Sequence, residues 1–196
     1  MSDVSLICDQ ALNSFLELVR LHHEIRNRGL KLISRKLESQ VNEILEANSK
    51  DLKVATKMVE DGEIASSLLD RLKLDESKIK DISDGVIAVS KLEDPLNKIQ
   101  MTTMLDEALQ LDRLSCPIGV IAAIFESRPD ALVQIASLCI KSGNVVILKG
   151  GQEAFNTNLL LTQVITSALI DAGLPKGIIQ LLEGRKDVRS LLARDD

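Results

Sequence analysis

The stretch GVIAAIFESRPDALVQIASLCIKSGNVVILKGG, from Gly119 to Gly151, decides the fold. It opens with a continuous apolar run, Gly119 to Phe125, the pattern of a strand buried on both faces of a parallel sheet. Pro129 and Asp130 then start a helix. Proline is tolerated in the first turn, where an N–H has no partner to lose, and aspartate suits the positive end of the helix dipole. Leu132, Ile135, Leu138 and Cys139 form the expected inner face, and Gly143 ends the helix where a left-handed residue is wanted. Val145 to Leu148 predicts a second buried strand, and Gly150 and Gly151 turn the chain into the next helix.

That helix carries Leu160, Val164 and Leu169 and closes at Gly173-Leu174-Pro175. Ile178 to Leu182 predicts a third strand, followed by Gly184 and a helix from about Asp187. Strands alternating with helices give the βαβ series of a doubly wound, Rossmann-like parallel sheet, an α/β fold. Such sheets take ligands beyond the carboxyl ends of their strands. Three loops therefore matter: Glu126-Ser127-Arg128-Pro129, Lys149-Gly150-Gly151-Gln152-Glu153, and Glu183-Gly184.

Upstream the periodicity is helical. Leu30, Ile33, Leu37, Val41 and Ile44 recur at steps of three and four, and so do Ile79, Ile82, Val86 and Val89. Asp75 predicts an N-cap for the second stripe, and Asp61-Gly62 a turn between the two. Thr102 to Leu114 reads as a hairpin. The expected organisation is a helical part over 1–98, a hairpin over 99–118, and a βαβαβα nucleotide-binding part over 119–196.

Composition narrows the function. Twenty-four basic against 29 acidic residues leave a net charge of −5, and aromatics are 2% with no Trp or Tyr. No basic face or stacking surface is advertised for nucleic acid. The longest apolar run is too short to cross a bilayer. Cys8, Cys116 and Cys139 are odd in number and far apart, which argues against a disulfide framework and against structural zinc and suits a reducing, cytoplasmic setting. His22 and His23 are adjacent, with no partner at metal-ligand spacing, and no metal site is expected.

Taken singly, the loops are ambiguous. Lys149-Gly150-Gly151 lets a backbone approach a ligand, and its lysine could hold a phosphate or a ribose hydroxyl, yet neither the Walker nor the G-x-G-x-x-G pattern is present. Taken alone, an ordinary Gly-Gly turn with a surface lysine is the commoner reading. Arg128 suits a bidentate grip on carboxylate or phosphate, or a surface salt bridge. Ser127 has no histidine nearby to act as its base.

Together, the blocks CPIGV, FESRPDA, SLCIKSGN and LKGGQEA resemble the signature region of the γ-glutamyl phosphate reductases of the aldehyde dehydrogenase superfamily. EILEANSKDL, LLDRLKL, LEDP and GLPKGIIQLLEGRKDV extend the likeness over nearly the whole chain. The resemblance implies an aldehyde dehydrogenase fold and NADPH-dependent reduction of γ-glutamyl phosphate to glutamate 5-semialdehyde in proline biosynthesis. It implies cofactor contacts from Lys149, Gly150, Gly151, Gln152, Glu126 and Gly184, and oxyanion or substrate contacts from Ser127 and Arg128. Gln152 stands where relatives often carry a lysine suited to the 2′-phosphate of NADP, and Asn97 where they often carry glycine.

The resemblance places the catalytic cysteine beyond Asp196. The expectation is therefore a cofactor-binding half without its nucleophile, inactive alone, working as a homo-oligomer or with a complementing half through the hairpin. The alternatives are a non-catalytic assembly module and one half of a split enzyme.

Overall fold

The computed structural model describes residues 4–126 and 128–194. Five helices come first: α1 (Val4–Leu18), α2 (His23–Ser39), α3 (Val41–Glu60), α4 (Ser67–Leu72) and α5 (Glu76–Lys91). A hairpin follows, β1 (Ile99–Asp106) and β2 (Leu109–Leu114), paired antiparallel. The remainder alternates as β3 (Val120–Ile124), α6 (Pro129–Lys141), β4 (Val145–Lys149), α7 (Phe155–Asp171), β5 (Ile179–Leu181) and α8 (Arg185–Leu192). β3, β4 and β5 form a parallel sheet in that order, with Ile124 opposite Lys149 and Leu148 opposite Leu181.

β4 is buried at all five residues. Successive side chains of a strand point to opposite faces, so both faces of β4 must be covered. α1 covers one and α6 the other, with α7 beside α6 against β5. α2, α3 and α5 pack behind α6 and α7, and one apolar core runs from Leu30 and Ile33 of α2 to Leu161 and Ile165 of α7.

The Asp75 side chain accepts the Lys78 backbone N–H at 2.8 Å and caps α5 as expected. Gly143 and Gly62 take positive φ of 71° and 74° at the two expected turns.

Four expectations need correction. β3 is half exposed, because it borders the sheet and pairs only with β4 among the described residues. Leu138 is exposed, since the inner face of α6 runs through Leu132, Val133, Ala136, Cys139 and Ile140. The stripe from Leu30 to Ile44 belongs to two helices, broken at Gln40, where φ −115° and ψ 27° leave the helical region. The third strand keeps only Ile179 to Leu181, because a 3₁₀ turn takes Lys176–Ile178.

Candidate functional site

Parallel strands bring their carboxyl ends to one edge, and the three loops singled out in the sequence meet there. Lys149 is the last residue of β4. Gly150 and Gly151 follow it, and Gln152–Ala154 make a 3₁₀ turn into α7. The loop after β3 carries Glu126 and Arg128; Ser127, the expected oxyanion contact, lies outside the described residues. Gly184, after β5, is the N-cap of α8 and donates its N–H to Asp187 Oδ2 at 3.0 Å. Phe125 N donates to Lys149 O at 3.0 Å and Leu182 N to Leu148 O at 2.8 Å, so the ladder runs into all three loops.

The Lys149 side chain is only 6% exposed, and its ammonium donates to the carbonyl of Gly150. Lys149 is thus folded along its own turn, which excludes the surface-lysine reading. Gly150 is buried and pressed between Asn158 and the ring of Phe125. Gln152 is exposed.

α7 begins with no side-chain cap of its own. Its first-turn amides are instead taken by Asp51 of α3: Oδ1 accepts from Asn156 N at 3.0 Å and Oδ2 from Thr157 N at 2.7 Å. A carboxylate already stands where a phosphate would dock on the helix end. That geometry leaves Lys149, rather than the first turn of α7, as the group here that could meet a phosphate or a ribose hydroxyl. Asn158 adds a buried Oδ1 with no hydrogen-bond partner among the described residues, beside the same turn.

Arg128 caps the other side of this edge. Its guanidinium pairs with Asp130 Oδ2 at 2.8 Å, and that bond pushes its pKa up. Arg128 also borders a groove of about 870 Å³ between α5 and α6. Ile82, Val86 and Leu138 give the groove apolar walls, while Arg71, Lys73 and Lys78 join Arg128 as cations against Asp81 and Asp130. The excess of positive charge fits a small acidic ligand. This explains the exposure of Leu138, which faces the groove.

None of the three cysteines lies on the carboxyl edge. Cys139 is buried near the far end of α6, and burial pushes its thiol up to about 11. Cys116 precedes the amino end of β3, and Cys8 lies on α1. No group of His, Cys, Asp and Glu suited to a metal occurs among the described residues, and no helix of theirs is long and apolar enough to cross a membrane.

Sequence reading missed Asp51, Asn158 and the groove cations. For Asp51 a signal existed. Ile44, Asn48, Asp51 and Ala55 fall at steps of four, three and four, so two polar residues sit within the apolar stripe of α3 and are buried there.

Comparison with known proteins identifies the family and the fold. The model of the aldehyde dehydrogenase family matches residues 1–196. The γ-glutamyl phosphate reductase of Acetivibrio thermocellus is 46% identical over 192 residues, 98% of this chain and 44% of that protein. That of Ruminiclostridium cellulolyticum is 47% identical over 193 residues, again 98% and 44%. The chain therefore spans less than half the length of these curated relatives. Among solved structures, the Thermotoga maritima γ-glutamyl phosphate reductase superposes with a TM-score of 0.87 at 30% identity, covering 97% of this chain and 45% of that one. The Saccharomyces cerevisiae enzyme gives 0.84 at 36%, covering 94% and 47%. The chain belongs to the aldehyde dehydrogenase family and has the mixed α/β fold of its members, of which it forms a part.

Proposed function

We propose that the chain is the cofactor-binding part of a γ-glutamyl phosphate reductase, the NADPH-dependent oxidoreductase that yields glutamate 5-semialdehyde for proline biosynthesis. The observation that carries this reading is the Lys149-Gly150-Gly151 turn at the carboxyl end of the central strand, in a chain 46% identical to such a reductase.

The turn fits a nucleotide sugar. An ammonium has three donors; one is engaged by the Gly150 carbonyl, and two are left for ribose hydroxyls. Lys149, Gly150, Gly151 and Gln152 would hold the adenosine side, with Glu126 and Gly184 flanking it. Gln152 offers an amide rather than a charge, so Lys149 is the cation of this turn that a 2′-phosphate would meet. When bound, the nicotinamide supplies the hydride.

Arg128 and the cations of the α5–α6 groove would orient the acidic substrate. The chain's own thiols sit away from this edge, and Cys139 stays protonated at neutral pH. Acyl transfer would therefore depend on a nucleophile outside these residues, and the chain alone would show no turnover. Ile99, Met104, Leu109 and Leu111 leave the hairpin apolar and exposed, which supports pairing with a second copy. No disulfide joins Cys8, Cys116 and Cys139, which suits a reducing cytoplasm.

Calorimetric titration of the chain with NADPH and NADH tests the reading. NADPH should bind, and Lys149→Ala should weaken it roughly tenfold, the worth of one hydrogen bond from a charged group. Failure of both nucleotides to bind, or an unchanged affinity in Lys149→Ala, would sink it.

A further inference from the structure

The geometry points to Asp51 as a positioning residue for the Lys149-Gly150-Gly151 turn, acting from α3 through the first turn of α7. The proposal rests on the nucleotide reading of that turn for its functional half only.

Asp51 is 2% exposed. Its carboxylate accepts four hydrogen bonds, all from the start of α7. Oδ1 takes Asn156 N at 3.0 Å and Asn156 Nδ2 at 2.8 Å; Oδ2 takes Thr157 N at 2.7 Å and Thr157 Oγ1 at 2.6 Å. A buried carboxylate that pairs with no cation among the described residues needs such a set of donors to offset its lost hydration. Asn48, one turn earlier on α3, reinforces the tie. Its Nδ2 donates to Leu72 O at 2.9 Å and to Thr157 Oγ1 at 3.3 Å, while its Oδ1 accepts Leu74 N at 2.9 Å.

The next residue of α7 carries the hold to the turn. Asn158 is 2% exposed, and its side-chain amide lies so close to Gly150 that a β-carbon there would meet Nδ2 at 2.2 Å. Residues 156 and 157 are thus fastened to α3, and residue 158 is the surface on which Gly150 rests. Lys149 in turn bonds the Gly150 carbonyl. Releasing Asp51 frees the first turn of α7, then the seat of Gly150, then the direction of the Lys149 ammonium. Asp51 touches no ligand in this scheme.

Hydrogen–deuterium exchange on the unsubstituted chain, Asp51→Asn and Ile79→Ala tests it, with NADPH affinity measured in parallel. Asn keeps one acceptor but turns an NH₂ toward the Thr157 donors. In Asp51→Asn the amides of 150–158 should exchange about tenfold faster, the effect of losing one hydrogen bond to a charge, and NADPH should bind about tenfold more weakly. Ile79→Ala empties a core site on α5 and should lower the melting temperature without either local effect. Thr157→Val, which loses the hydroxyl bond to Asp51 Oδ2 and the longer one accepted from Asn48 but keeps the carboxylate and its three other bonds, should move both readouts in the same direction by roughly threefold. It decides the matter if Asp51→Asn does not fold.

Unchanged exchange at 150–158, or an equal rise in Ile79→Ala, overturns the hold on the turn. Faster exchange with unchanged NADPH affinity overturns its functional role. If the unsubstituted chain binds no nucleotide, the nucleotide reading fails by itself, and exchange still decides whether Asp51 sets the turn.

Discussion

Gly150 lies against the side-chain amide of Asn158 with no room between them. A β-carbon at 150 would stand 2.2 Å from Asn158 Nδ2 and 3.3 Å from Phe125 Cε2. Gly150→Ala should therefore destabilise the chain by about 1–3 kcal/mol, the usual cost of overpacking a filled site, read from urea unfolding. In an Asn158→Ala background the same substitution should cost at least about 0.5 kcal/mol less, because the obstructing amide is gone. Equal costs in the two backgrounds would show that the two residues are uncoupled.

How much of this was legible beforehand depends on the distance over which each signal acts. The strand-turn-helix grammar of 119–151 is local: an apolar run, Pro129 at a helix start and Gly143 at a helix end each constrain their own neighbours, and the parallel sheet followed. Edge position is not local. Nothing in Val120 to Ile124 says that β3 has one strand neighbour rather than two among the described residues, so its exposure was missed. The break at Gln40 left no glycine or proline as a marker. Asp51 serves residues 105 and 106 positions away, and its only trace was a polar pair inside an apolar stripe. Asn97 is an intermediate case. Its φ of 57° lies in the left-handed region, which asparagine is among the few residues besides glycine to adopt readily.

The α5–α6 groove leads to a prediction about small anions. Arg71 and Lys73 are exposed at one end and make no ion pair among the described residues, while Arg128 is paired with Asp130. Titration with L-glutamate and with inorganic phosphate should shift amide resonances of residues 71–86 and 128–138. The shifts should fade as salt is raised, because exposed charges are screened within about 10 Å at 0.1 M. Reversing both cations, Arg71→Glu with Lys73→Glu, should weaken binding roughly fivefold to tenfold, at about 0.5 kcal/mol or somewhat more per exposed charge. Unmoved resonances in that segment would show that the groove takes no such anion.

Cys139 gives the clearest dependence on pH. Burial raises its thiol from 9.0 to about 11 in the folded chain. Between those values the unfolded chain loses the proton first, so the folded state binds more protons and stability falls as pH rises. Below about 9 both forms hold the proton, and Cys139 contributes no slope. Cys139→Ala should therefore flatten the loss of stability between pH 9 and 11 relative to the unsubstituted chain, measured by urea midpoints across that range. Alkylation reports the same environment at neutral pH. Cys116 is exposed and should react first with iodoacetamide, whereas Cys139, protonated and 7% exposed, should react only as the chain unfolds. Rapid labelling of Cys139 in the folded chain would place it on an accessible surface and would contradict its role in the core of α6.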